Sequence, residues 1–135
     1  MEAAEMRARW VEVRERMAAA ARRAGREPGG VRLVAVSKLH PAEAVSALYE
    51  AGQRDFGENY VQEAEAKMAA LPPDISWHFI GHLQTNKARN VVGRFSLVHG
   101  IDSLRLARSL QDRADALGVV QDVLVQVNLA GESQK

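Results

Sequence analysis

The stretch VRLVAVSKLHPAEAVSALYEAG, residues 31–52, reads as a strand, a turn and a helix in direct succession. Residues 31–36 (VRLVAV) are β-branched and mostly apolar, which suits a short strand covered on both faces, as in a parallel sheet. Pro41 stands where a helix can begin, because the N–H it lacks would find no partner in the first turn. Ala44, Val45 and Leu48 then form a helical apolar stripe, and Gly52 stops it.

The same unit recurs downstream. Residues 54–57 (RDFG) predict a short second strand, and residues 60–71 a helix with Val61, Ala64, Met68 and Leu71 on one face, closed by Pro72 and Pro73. Residues 76–80 (SWHFI) predict a third strand, 84–92 a shorter helix and 96–99 a fourth strand. Ser103 is placed to cap a helix whose stripe is Leu104, Ala107, Leu110, Ala114 and Leu117, with Gly118 after it, and residues 122–127 (DVLVQV) predict a fifth strand.

Upstream, residues 2–24 predict a helix with Met6, Trp10, Val13, Met17, Ala20 and Ala24 along one stripe. Its arginines are interleaved with Glu5, Glu12 and Glu15, which reads as a solvated face rather than a phosphate-binding one. The regular alternation over a single domain, residues 1–135, predicts an α/β fold with a parallel sheet wrapped by helices. The pattern by itself leaves two architectures open, a doubly wound sheet or part of a (β/α) barrel.

Composition narrows the function by exclusion. Eighteen basic residues against seventeen acidic ones leave a formal charge of +1, so no global field points to nucleic acid or membrane. With no cysteine there are no disulfides, cysteine metal ligands or thiol nucleophiles, which suits a reducing, cytoplasmic setting. No stretch approaches the roughly 20 apolar residues of a membrane span, and no apolar signal core opens the chain.

Both architectures put function at the carboxyl ends of the strands. There the chain places Ser37-Lys38-Leu39-His40, Gly57-Glu58-Asn59, Gly81-His82-Leu83-Gln84, His99-Gly100-Ile101-Asp102, and the residues from Asn128 to Lys135. A lysine just past an apolar strand can be partly desolvated, which favours the neutral amine that attacks an aldehyde, the chemistry of a Schiff base. Position by itself favours the plainer alternative, in which Lys38 bends into solvent. Asn59 suits a helix cap or a ligand contact, His82 a structural hydrogen bond, and Gly81 a close backbone approach to a ligand. His78 and His82 are four apart, but that metal spacing works on a helix and His78 falls in a strand. Glu58 has no evident carboxylate partner for paired acid/base work, and GxGxxG, P-loop and GxSxG motifs are absent.

Taken together, VAVSK (34–38), AGQRDFGENYVQEAEAK (51–67), WHFIGHLQTNKAR (77–89) and VQVNLAGESQK (125–135) resemble the pyridoxal 5'-phosphate (PLP) homeostasis protein family, itself related to the amino-terminal barrel of alanine racemases. The resemblance runs from about Val31 to the last residue, with the motifs in family order. It implies a (β/α) TIM-type barrel with an amino-terminal helix, and PLP held as an internal aldimine on Lys38. It also implies that Asn59, His82 and Asn128 line the cofactor pocket, that no residue is catalytic and that no metal is bound. Leu39 departs from the family, where a small hydroxyl residue is commoner.

A full barrel has eight strands in about 250 residues, and five are predicted here, so the resemblance implies the first part of a longer protein. Contacts to the phosphate and pyridine nitrogen are then expected beyond residue 135, and the first and fifth strands are expected to be open edges. The implied function is a non-catalytic PLP carrier in vitamin B6 homeostasis, with PLP and PLP-dependent apoenzymes as partners. The alternative is a PLP-dependent amino-acid racemase, which needs a second base; the only tyrosines are Tyr49 and Tyr60, both predicted on helices.

Overall fold

Five strands and four α-helices alternate along residues 1–131, the part of the chain described by this computed structural model. The helix α1 (Ala3–Arg23) precedes β1 (Ala35–Val36), α2 (Ala42–Ala51), β2 (Asp55–Glu58), α3 (Val61–Ala70), β3 (Ser76–Phe79), a 3-10 helix (Thr85–Asn90), β4 (Leu97–Ile101), α4 (Leu104–Leu117) and β5 (Val123–Val125). All neighbouring strands pair in parallel and in sequence order, β1-β2-β3-β4-β5. That order decides between the two architectures. A doubly wound sheet reverses its strand order at a switch point, whereas a (β/α) barrel adds each strand beside the last. Among the described residues the fold is five strands in the order of a (β/α) barrel, with α1 added in front.

The core lies between the sheet and the helices. Phe56, Trp77, Phe79 and Val98 on the strands meet Val45, Ala64, Leu106, Leu110 and Ala114 on the helices. Phe79 and Phe95 stack edge to face with centroids 5.4 Å apart, an arrangement favoured by the ring quadrupoles. Strand alternation turns the intervening residues to the opposite, inner face, which carries Asp55, Gly57 and His78.

Sequence periodicity and structure part at four places. The predicted strand 31–36 pairs only at Ala35 and Val36, and Val31 and Val36 are exposed rather than covered on both faces. The reason is that β1 has one neighbour among the described residues, as does β5, where Leu124 and Val125 are exposed. Residues 84–92 form a 3-10 helix over Thr85–Asn90 instead of an α-helix; one threonine and two asparagines in six residues give the α form little intrinsic support. On α1 the covered side is rotated from the predicted stripe: Ala21 is buried, whereas Val13, Ala20 and Ala24 are exposed. On this helix Trp10 Nε1 donates to Gln53 Oε1 at 2.8 Å, while Gln53 Nε2 donates to the carbonyls of Leu33 and Asp55. Pro41 is the residue before α2 rather than its first, a difference of one position that boundary definitions absorb.

Ser103 does cap α4 as read, its Oγ accepting from Leu106 N–H at 3.1 Å. No helix among the described residues is long and apolar enough to cross a membrane.

Candidate functional site

Register brings the carboxyl ends of β1 and β2 together. Ala35 pairs with Phe56 and Val36 with Gly57, and Ser37 N–H still donates to the Gly57 carbonyl at 3.0 Å. Lys38, in a turn closed by His40 N–H on the Ser37 carbonyl, and Asn59, one residue past β2, therefore leave the sheet at the ends of adjacent strands. Lys38 is exposed, so the desolvation expected of it is not supplied by the described residues, among which β1 is an edge strand.

Asn59 does not cap α3. Tyr60 occupies the cap position and no side chain bonds there. The Asn59 Oδ1 is buried and has no hydrogen-bond partner. Leaving a buried acceptor unpaired costs about 1–3 kcal/mol, so the atom fits a ligand donor. Gly81 serves this same residue: a Cβ at Gly81 would lie 2.8 Å from Asn59 Cα and 2.9 Å from its carbonyl carbon. The close approach read from the sequence is thus to the backbone of Asn59 and not to a ligand.

His82 follows Gly81, which lies against the Asn59 backbone, and Asn128 follows β5. His82 is exposed and lines a polar cavity of about 580 Å³ with Gln84, Asn86, Asp102 and Arg105, which Lys38 and Asn59 do not reach. Asn128 is exposed beyond the end of β5. Residues Glu132 to Lys135 of the last motif lie outside the described residues. A cavity of about 550 Å³ lies between α1, α2 and β1, but Met6, Ala44, Val45 and Leu48 make it largely apolar, and neither Lys38 nor Asn59 borders it. Convergent polar groups mark the strand ends instead.

Two polar clusters were not read from the sequence. On the helix side of the sheet, Lys67 is only 5% exposed and Glu58 not at all. Lys67 Nζ donates to Glu58 Oε2, Glu63 Oε2 and the Ser37 carbonyl, each at 2.7 Å. Ser37 Oγ also donates to Glu58 Oε2. Glu63 in turn accepts from Leu39 N–H at 2.6 Å, and its carboxyl is held below the usual carboxylate range, first by the Lys67 bond and also by that amide. The sequence carried a signal for this cluster: Lys67 sits three residues after Ala64, on the covered side of α3, and Glu58 shares the alternation of Phe56.

The second cluster is on the inner face. His78, 1% exposed, has Nε2 2.9 Å from Asp55 Oδ1 and Nδ1 3.1 Å from His99 Nε2. Asp55, His78 and His99 thus form one hydrogen-bonded row, in which the donor at each ring nitrogen depends on the tautomer. No group of three His, Asp or Glu side chains that could hold a metal ion is found among the described residues. Burial, with the charge of His78 as a smaller cause, holds the His99 imidazole below its ordinary value. The unfolded chain then binds a proton near pH 6.5 that the folded chain refuses, so stability falls as pH drops below that value. Thermal melts between pH 7.5 and 5.5 are expected to show this decline, and His99→Gln, which keeps a hydrogen-bonding group toward His78, is expected to flatten it. An equally steep decline in the variant would assign it to another group.

The family model described as alanine racemase, N-terminal domain, matches residues 11–132. Over 126 residues, 91% of this chain, the sequence is 46% identical to the pyridoxal phosphate homeostasis protein of Pseudomonas aeruginosa, and over 128 residues, 92% of the chain, 44% identical to that of Escherichia coli. The chain spans about half the length of these relatives, 54% and 55%. Among solved structures, PipY of Synechococcus elongatus with PLP bound superposes with a TM-score of 0.74 at 46% identity, covering 89% of this chain and 56% of that one. A protein from Bifidobacterium adolescentis described as unknown gives a TM-score of 0.90 at 36% identity, covering 98% and 58%.

Proposed function

From the premise that this chain belongs to the alanine racemase N-terminal domain family, we propose that it is the PLP-anchoring part of a vitamin B6 homeostasis protein, a cytoplasmic carrier that holds PLP on Lys38 and passes it to apoenzymes. The observation that carries this reading is the pair at the adjacent strand ends: an exposed primary amine on Lys38 and a buried, unpartnered acceptor on Asn59. Lys38 would hold PLP through its aldehyde as a Schiff base, with one water released, and Asn59 would accept a hydrogen bond beside it. His82 and Asn128 are assigned to the outer parts of the pocket, and residues 1–135 to one domain, the amino-terminal part of the barrel. PLP bound to PipY supports the cofactor.

The carrier reading is preferred to a racemase because the relatives are named homeostasis proteins, and because Tyr49 is engaged elsewhere. Tyr49 O–H donates to Asp74, and the Arg54 guanidinium lies 3.7 Å from the centre of its ring. That hydrogen bond pushes the phenol up from its ordinary value, further from service as a base. Asp74 and Arg54 therefore occupy Tyr49, whereas Tyr60, expected on a helix, is the exposed residue before α3.

Titration with PLP is expected to give a near-visible absorbance band. Borohydride reduction followed by peptide mass mapping is expected to find the cofactor on Lys38, and Lys38→Ala to abolish both signals. Survival of the band in that variant would refute the site, and racemization of an amino acid alongside the band would refute the carrier role.

A further inference from the structure

The lysine proposed to carry PLP has its two flanking peptide groups tied to one buried ionic cluster. On the amino-terminal side, the Ser37 carbonyl accepts from Lys67 Nζ at 2.7 Å. On the carboxyl-terminal side, Leu39 N–H donates to Glu63 Oε2 at 2.6 Å. Lys67 and Glu63 are themselves joined at 2.7 Å, one helical turn apart on α3, and Lys67 is joined again to Glu58 on β2. An ammonium has three hydrogens to donate, and Ser37, Glu58 and Glu63 take all of them. The cluster thus ties the strand ends and α3 to the peptide on each side of Lys38.

The backbone shows why such a tie is needed. Leu39 is the one residue other than glycine with a positive φ, 65°, among the described residues. A branched side chain resists this left-handed conformation, which persists where surrounding contacts over-determine it. The leucine side chain gives no such hold, since Leu39 is 80% exposed. Two hydrogen bonds hold the turn: His40 N–H donates to the Ser37 carbonyl at 3.0 Å, and Leu39 N–H donates to Glu63.

We propose that Glu63 and Lys67 are positioning residues for Lys38, fixing the peptides on both sides of it so that its amine is presented in one direction at the strand end. The proposal rests on the Lys38 reading above. It assigns no contact with the cofactor to either residue: both lie on the helix side of the sheet and act through the backbone. Charge-assisted hydrogen bonds of this kind are about twice as strong as neutral ones, which suits them to holding a strained turn.

The test compares wild type with Glu63→Ala, Glu63→Gln and the double variant Glu58→Gln/Lys67→Met, which removes the buried charges together so that folding is retained. Amide hydrogen exchange at Leu39 without cofactor reads the tie itself. The rate at which added PLP becomes fixable by borohydride on Lys38 reads its consequence. Glu63→Ala is expected to speed Leu39 exchange about tenfold, the size of losing one hydrogen bond to a charged group, and to slow fixation by a similar factor with far-UV circular dichroism unchanged. Glu63→Gln, whose amide oxygen can still accept from Leu39, is expected to recover most of both, and the double variant to slow fixation. Unchanged exchange in Glu63→Ala, or faster exchange with undiminished fixation, would overturn the proposal. Failure of wild type to fix PLP on Lys38 would instead overturn the Lys38 reading, and the positioning role with it, while leaving the exchange result standing as a statement about the turn.

Discussion

Lys67→Met is expected to lower stability by roughly 3–5 kcal/mol, the usual effect of breaking a buried ion pair from one side. Methionine reproduces the length and flexibility of the lysine stem, so the loss isolates the charge and its hydrogen bonds. What makes the effect large is what stays behind. Glu58 is fully buried, its Oε1 has no partner, and its Oε2 depends on Lys67 and Ser37 alone. Without the ammonium that carboxylate is a desolvated charge with one hydroxyl to satisfy it. Replacing both ions, in Glu58→Gln/Lys67→Met, is expected to bring stability back to within about 1–2 kcal/mol of wild type, because the desolvation penalty disappears with the attraction. Urea denaturation of the two single variants and the double variant forms a cycle that separates the terms. If Lys67→Met lowers stability by less than about 1 kcal/mol, water reaches Glu58 in solution and the cluster is not the buried network described.

The contrast between what periodicity reveals and what it hides is clearest around these residues. Element order, strand spacing and the Ser103 cap were legible because each depends on local chemistry: β-branched runs, stripes at steps of three and four, and a hydroxyl before an apolar helix. Lys38 and Asn59 were legible as strand-end residues for the same reason. The clamp on Lys38 was not, because its members come from β1, β2 and α3, and their meeting depends on how α3 lies across the sheet. A lysine on the covered face of a helix was the available sign, and Lys67 passed as one more charge in a mixed sequence. The short pairing of β1 was hidden for a different reason. The composition of residues 31–36 states how much cover the strand is suited to, whereas the cover it has depends on its neighbours, and β1 has one among the described residues. Exposed Val36 and Val125 at the two edges of the sheet mark the same deficit.

Gly81→Ala is expected to be the most damaging of the glycine substitutions, at or above the upper end of the roughly 1–3 kcal/mol that overpacking usually costs. The added methyl would fall within 3 Å of three backbone atoms of Asn59, its Cα, carbonyl carbon and carbonyl oxygen. Backbone cannot swing aside as a side-chain tip can, so β3 and the end of β2 must separate. Gly57→Ala provides the comparison, because its methyl would meet Ile80 Cδ1 at 2.9 Å and Val34 Cγ1 at 3.2 Å, both side-chain ends free to adjust. Gly29→Ala, with nothing within 4 Å, is expected to be nearly neutral. The order Gly81 over Gly57 over Gly29 in thermal melts checks the steric argument. Function should follow a different order of causes. Moving the Asn59 backbone also moves its buried Oδ1 relative to Lys38, so Gly81→Ala is expected to weaken PLP retention even at temperatures where the variant is fully folded. Full retention under those conditions would remove Asn59 from the cofactor site while leaving the packing argument intact.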